Sequence, residues 1–203
     1  NSNLIGLQAQ ISLAQGRFED LGTLAGTPGE DAEFNELIWA GVSRVAGGDG
    51  AGALELFEAV LNSPMAPHME PHDRIAIRSA AAWAEIVAGR ADAVGQHNSL
   101  AEAEYQDALA RGWDTPQLHA WAAINNFVGE DHTVALARLR LAVDKGWREL
   151  RVLGELPMLV SMRERPEFRE LLEWVDQDLE RMSRAVATAQ ADQVAGVSAV
   201  VSR

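Results

Sequence analysis

The stretch from Gly129 to Leu172, GEDHTVALARLRLAVDKGWRELRVLGELPMLVSMRERPEFRELL, decides the fold. In its first half, Ala135, Leu139 and Ala142 follow the spacing of the apolar face of an amphipathic helix. A glycine opens the stretch and Gly146 follows the helix, as glycines do where one helix ends and another begins. Because the alanines let a second helix approach closely, the stretch predicts one unit of a helical-hairpin array.

The same hairpin pattern recurs upstream. Ala53, Phe57 and Val60 have the same spacing in a helix that follows the run Gly47-Gly48-Asp49-Gly50. Glycines that interrupt the helical pattern are 32, 41 and 40 residues apart: Gly16, Gly48, Gly89 and Gly129. A period in the thirties with insertions is typical of two-helix repeats. We predict an all-α, right-handed helical-hairpin solenoid of about four repeats with a C-terminal capping helix.

The helices are predicted in pairs that short loops separate. The pairs are 4–15 with 17–24, 31–46 with 51–61, 75–87 with 91–111, and 118–128 with 132–145. Three prolines in residues 62–73 indicate an inter-repeat loop, with Pro71 in the first turn of the next helix. We therefore assign residues 1–147 to the repeats, 148–187 to a capping segment with a long helix, and 188–203 to a frayed tail without periodicity.

The long C-terminal helix begins at Pro166 and is amphipathic. Its apolar residues fall at a/d-like spacing: Phe168, Leu171, Leu172, Val175, Leu179 and Met182. Because the last repeat of a solenoid needs its apolar face covered, we expect this helix to cap the array. The alternative is a helix that forms a homodimer.

Two patterns resemble a known family. The spacings of Ala53–Phe57–Val60 and Ala135–Leu139–Ala142 resemble the tetratricopeptide repeat family. Residues 142–182 are similar to the C-terminal ends of tetratricopeptide regions in large bacterial regulators, in which the repeats follow an adenylate cyclase, winged-helix or TolB-like domain. The matching residues are Ala142, Gly146, Trp147, Arg148, Pro157, Leu159, Arg163, Pro166, Phe168 and Leu171. The family commonly has an acidic residue where this chain has Leu156.

The composition excludes or disfavours several kinds of partner and of chemistry. The net charge is −13, from 17 basic and 30 acidic residues. This acidity disfavours binding to anionic membranes and to nucleic acids, because proteins bind the phosphate backbone through clustered Lys and Arg. The chain has no cysteine, which excludes disulfides, Cys-ligated zinc and thiol catalysis. No apolar run approaches the ~20 residues that cross a bilayer.

The compartment stays open, with the cytoplasm favoured. No signal-peptide pattern is present, and a lack of cysteine is compatible with several compartments. Because the chain begins with Asn1 rather than Met, we expect a processed fragment, with catalytic or DNA-binding parts outside it.

A search for chemistry finds no catalytic constellation. The glycine-rich run 47–50 lies between predicted helices and lacks the Lys-Ser/Thr of a phosphate loop. His68 and His72, with Glu70 and Asp73, are donor types that bind zinc or nickel. Two prolines in that segment, however, work against the helical alignment that would present both rings together. We predict no enzyme activity within these residues, no metal site and no cofactor.

The resemblance implies a concave groove lined by the first helix of each hairpin. In the family's register the partner-binding residues are Gln10, Val42, Trp83, Ile86, Ile124, Asn125, Asn126 and Phe127. The amides of Asn125 and Asn126 would hydrogen-bond an extended peptide backbone. Alternatively, Trp83 and Phe127 are packing residues. Without clustered Lys or Arg in this groove, an apolar or basic partner segment fits the charge better than an acidic one.

These expectations lead to a function without covalent chemistry. We expect a protein-interaction or regulatory scaffold, part of a bacterial signalling or transcription-regulatory protein. The alternatives are the regulatory arm of an enzyme such as an adenylate cyclase, and a helical domain that senses a small molecule.

Overall fold

The computed structural model describes residues 34–150 and 157–201, and this part of the chain is all-α, as predicted, without a strand. The helices are α1 (Phe34–Ala46), α2 (Gly50–Leu61), α3 (Pro71–Val87), α4 (Ala91–Ala110), α5 (Pro116–Val128), α6 (His132–Asp144), α7 (Val160–Arg163) and α8 (Pro166–Val201). Short 3₁₀ turns span Ala66–His68 and Pro157–Leu159. The predicted first hairpin, with Gln10 and Gly16, lies outside the described residues.

Helices that follow each other in sequence pack together. α1 pairs with α2, α3 with α4, and α5 with α6. The first helices of these pairs also meet, because α3 packs against both α1 and α5. In addition, α2 packs against α3, and α4 against α5. Helix α3 is therefore at the centre of the described structure and contacts four other helices.

The second helix of each pair buries the same pattern of side chains. The three patterns are Ala53–Phe57–Val60, Ala101–Tyr105–Ala108 and Ala135–Leu139–Ala142, all of them at most 5% exposed. The pattern in α4 was not predicted, because it starts ten residues after the beginning of that helix. The other two patterns start three residues after the beginnings of α2 and α6. Helix α4 thus has about two extra turns at its beginning.

Five helices end in the same hydrogen-bonded motif, in which a residue with positive φ follows the helix. In four of them that residue is a glycine, with φ between 73° and 102°: Gly48, Gly89, Gly112 and Gly146. After α5 the positive φ of 65° falls on Glu130 instead, and Gly129, the predicted break, has φ −80°.

Gly129 has another role. A Cβ on this residue would lie 2.7 Å from Nδ2 of Asn98. The glycine therefore lets the extra turns of α4 approach the end of α5.

The C-terminal segment shares one buried cluster with α5 and α6. Leu159, Met162, Phe168 and Val175 are at most 1% exposed and belong to the same cluster as Ile124. This cluster contains five of the residues that carry the resemblance: Ala142, Trp147, Leu159, Phe168 and Leu171. The segment after α6 therefore completes the core at this end of the described structure.

The C-terminal helix is longer than expected. The sequence reading placed a frayed tail from residue 188 onward, but α8 continues to Val201. The last part of α8 lacks a regular apolar periodicity but is rich in alanine: Ala185, Ala187, Ala189, Ala191, Ala195 and Ala199. Because alanine has the highest helix propensity, the backbone stays helical without a regular apolar face.

Candidate functional site

Three of the predicted groove residues are apolar side chains that stay partly exposed. Val42 lies on α1, and Trp83 and Ile86 lie one turn apart on α3. Val42 and Trp83 are half-buried and pack against the same buried cluster between α1, α2 and α3. Ile86 is 46% exposed. We call Val42, Trp83 and Ile86 the α1/α3 patch.

Two predicted groove residues on α5 are inside the core. Ile124 is fully buried and Phe127 is 5% exposed. Both belong to the cluster that contains Leu159 and Met162. Because the chain's own C-terminal segment shares this core, these side chains have no surface for a partner, and the alternative of a packing role describes Phe127 better.

The two asparagine amides are also engaged within the chain. Asn125 is 2% exposed, and its Nδ2 donates to the backbone carbonyl of Asn98 at 3.2 Å. Oδ1 of Asn126 accepts from Nη1 of Arg138 at 2.6 Å. The Asn125 amide is therefore buried against α4, whereas Asn126 contacts α6 and stays half-buried. Of the predicted groove residues that the structure describes, Ile86 is exposed, and Val42, Trp83 and Asn126 are half-buried.

A polar cluster lies under the extra turns of α4. The side chain of Glu85 is 6% exposed, with Oε2 at 2.7 Å from Nε of Arg90 and Oε1 at 3.9 Å from Nε2 of His97. Burial lowers the pKa of His97, the nearby Arg78 lowers it further, and Glu85 and Glu58 oppose the shift. The imidazole is therefore held towards its neutral form.

Oδ1 of Asn98 and Oδ1 of Asn125 are buried in the same region without a hydrogen-bond partner among the described residues. His97 and Asn98 on α4 thus face a polar side chain of α5, Asn125. Buried polar groups of this kind restrict which neighbours can pack there.

A chain of hydrogen bonds joins α4, α5 and α6. Oη of Tyr105 lies 2.9 Å from Nδ1 of His119, whose Nε2 lies 2.6 Å from Oδ1 of Asp114. Nζ of Lys145 lies 2.6 Å from Oδ2 of the same aspartate. If Nε2–H donates to the carboxylate, Nδ1 is free to accept a hydrogen bond from the tyrosine hydroxyl. Burial raises the pKa of Tyr105, and hydrogen bonds from Lys145 and then His119 lower the pKa of Asp114.

This chain has the order of groups found in proton relays, but its geometry is that of a structural link. Tyr105 is 5% exposed and His119 is 1% exposed, so neither reaches a substrate in solution. The three groups come from α4, from the loop before α5 and from α5 itself. The link therefore fixes how these segments pack.

Arg138 adds a second link from α6 to α4. Nη1 and Nη2 bind the two carboxylate oxygens of Glu102, each at 2.7 Å. The guanidinium also lies over the ring of Tyr105, 4.0 Å from its centroid. The hydrogen bond from Arg138 lowers the pKa of Glu102. No local sequence pattern predicts this link, because the two partners are 36 positions apart.

The histidine-containing segment before α3 does not gather its donors. His72 lies between Glu70 and Asp73, at 3.2 Å and 3.4 Å, whereas His68 is exposed at the end of a 3₁₀ turn. Burial raises the pKa of Asp73, which the charge of His72 partly offsets. Across residues 34–150 and 157–201 no group of three or more His, Cys, Asp or Glu side chains has the arrangement of a metal site.

In the same described ranges, no helix combines the length and the hydropathy that crossing a bilayer needs.

Comparison with protein-family models, curated proteins and solved structures gives no match for this chain.

Proposed function

We propose that this protein is a helical-repeat interaction module that binds an apolar or basic segment of another protein through the α1/α3 patch. It acts by presenting a preformed surface, as part of a bacterial signalling or transcription-regulatory protein, and it carries no catalytic group of its own in the described residues.

The packing of the helices supports a tetratricopeptide-like array. In such an array the first helix of one hairpin packs against its own second helix and against the first helix of the next hairpin. Helices α1, α3 and α5 stand in this relation to each other and to α2, α4 and α6. The threefold recurrence of an alanine, a large side chain four residues later and a small or branched one three residues after that supports the same arrangement.

The exposure of Ile86 carries the assignment of the binding surface. It is 46% exposed although it lies on α3, the helix with the most neighbours. Trp83 is on the same face, since residues three apart on a helix are neighbours. Half-exposed tryptophan and aliphatic side chains on a rigid element are typical anchors of protein interfaces.

The charge of the chain selects the class of partner. With 30 acidic and 17 basic residues, the protein repels acidic segments at low ionic strength and attracts basic ones. Apolar contacts at the α1/α3 patch would supply affinity, and flanking basic residues on the partner would increase the association rate. We therefore expect partner segments that combine bulky apolar residues with Lys or Arg.

Selection from a random peptide display library tests this function. The wild-type chain should enrich peptides with apolar and basic residues, and Ile86→Glu should weaken their binding at least tenfold. The matched control is Met65→Glu, which adds the same charge at a side chain that is 59% exposed in the loop before α3. Binding that survives Ile86→Glu, or enrichment of acidic peptides, would contradict the proposal.

A further inference from the structure

The second half of α8 projects beyond the other helices of the described residues. The helix has 36 residues and is therefore about 54 Å long. Its first half is held in the core by Phe168, Leu171 and Val175, which are at most 7% exposed. Every side chain from Leu179 to Gln190, in contrast, is exposed. This half of the helix has no covering neighbour among the described residues.

An apolar stripe runs along the projecting half. Leu179, Met182 and Val186 are 39%, 52% and 57% exposed, and their i, i+3, i+7 spacing places them on one face. We call these three residues the α8 stripe. Small side chains flank it: Ser183, Ala185 and Ala189. The charged residues lie on the other side of the helix: Glu180, Arg181 and Arg184.

The charge of the last 25 residues differs from that of the rest. Residues 179–203 carry two acidic and three basic side chains, a net charge of +1: Glu180, Asp192, Arg181, Arg184 and Arg203. Since the whole chain has −13, residues 1–178 have −14. The projecting helix can thus meet its own copy with little repulsion, whereas the acidic bodies repel each other.

We propose that the α8 stripe binds the α8 stripe of a second copy of this chain, with the two helices antiparallel. Small flanking residues allow the helix axes to approach to the 8–10 Å that close packing needs. An antiparallel arrangement puts the two acidic bodies at opposite ends of the pair and opposes the two helix dipoles. A parallel pair would bring the bodies side by side.

Pairing also explains how such a helix is stable. Most helical stability in proteins comes from packing of an apolar face, and isolated helices are marginal in water. The inference is independent of the proposed function, because the α1/α3 patch lies on other helices.

Sedimentation equilibrium of the full chain tests the pairing. The wild type should show a concentration-dependent equilibrium between monomer and dimer, and Met182→Glu should raise the dimer dissociation constant at least tenfold. The matched control is Thr188→Glu, which adds the same charge to the same helix on the face away from the stripe and should leave the constant within twofold. Circular dichroism checks that both variants stay folded. A monomer at all concentrations, or equal effects of the two variants, would overturn the proposal.

The orientation is tested by disulfide cross-linking, since the chain has no cysteine of its own. Leu179→Cys, Met182→Cys and Val186→Cys are made separately. In an antiparallel pair only a residue near the two-fold axis meets its own counterpart, because the three positions span about 10 Å and a disulfide needs Cα atoms within about 7 Å. One efficient cross-link is expected. Equally efficient cross-links at all three positions would overturn the antiparallel orientation.

Discussion

Single side chains hold the helices of this protein in register through polar contacts across long stretches of sequence. The clearest is Arg138, whose side chain is 13% exposed and binds Glu102 at both carboxylate oxygens. The same guanidinium binds Asn126 and covers the ring of Tyr105. Planar, fixed donors of this kind suit arginine and not lysine.

We expect Arg138→Ala to lower the free energy of unfolding by about 2 kcal/mol, because it removes hydrogen bonds to a carboxylate and a cation–π contact. Arg138→Lys should recover less than half of the loss, since an ammonium cannot bind both carboxylate oxygens in one plane. Urea unfolding of the three proteins at constant pH measures the difference. Full recovery in the lysine variant would show that only the charge matters.

His97 should make stability depend on pH. Burial holds its pKa below the ordinary value of 6.5 in the folded state, so between the two values the unfolded chain binds more protons than the folded one. Stability should therefore be complete above about pH 6.5 and decrease as the pH falls from there towards the depressed pKa. In His97→Gln the decrease from pH 7 to pH 5 should be smaller. A variant with the same pH profile as the wild type in denaturant unfolding would contradict this origin.

At the scale of the helices, the ends are defined by one recurring motif with one exception. Gly48, Gly89, Gly112 and Gly146 adopt positive φ where a helix stops, and Glu130 does so after α5. A residue with a side chain is strained there by roughly 1–2 kcal/mol relative to the right-handed region. At Glu130, therefore, a residue with a side chain adopts a backbone conformation that favours glycine.

Glu130→Gly should raise the free energy of unfolding by about 0.5–1 kcal/mol, the relief of strain less the entropy that glycine adds to the unfolded chain. Gly146→Ala is the converse test at a helix end where the glycine is native, and by the same balance it should lower stability by about 0.5–1 kcal/mol. Thermal and urea unfolding give both values. A destabilised Glu130→Gly would mean that the glutamate makes a contact that offsets its strain.

At the scale of the whole molecule, the buried clusters of the described residues are connected. Val42 packs against both the cluster of α1–α3 and the larger cluster that includes the C-terminal segment. Trp121 likewise packs against the larger cluster and that of α4 and α5. The helices should therefore unfold together and not hairpin by hairpin.

Phe168→Ala tests this cooperativity. The side chain is 1% exposed in the C-terminal part of the core, so its removal should cost about 3–5 kcal/mol. Because the clusters are connected, circular dichroism and tryptophan fluorescence should shift together to one lower midpoint. Two separate transitions would show that α1 to α4 form an independent unit.

The sequence by itself determined the helices and much of their pairing. Helical periodicity, glycines at helix ends and prolines at helix starts are local signals, because they report backbone preferences over one or two turns. They placed α1 to α6 within a few residues, and they recovered the buried patterns of Ala53 and Ala135. Apolar periodicity does not predict the alanine-rich end of α8, because alanine favours the helix without forming a regular apolar face.

Only the tertiary structure decided which side chains are exposed to a binding partner. The register on α5 predicts Ile124 and Phe127 as groove residues. Their burial, however, depends on the C-terminal segment, which joins the same core from about 35 positions away. The links Tyr105–His119 and Glu102–Arg138 were likewise invisible, since nothing local requires two distant polar residues to meet. Periodicity specifies the face of a helix, whereas exposure is a property of all the helices packed around it.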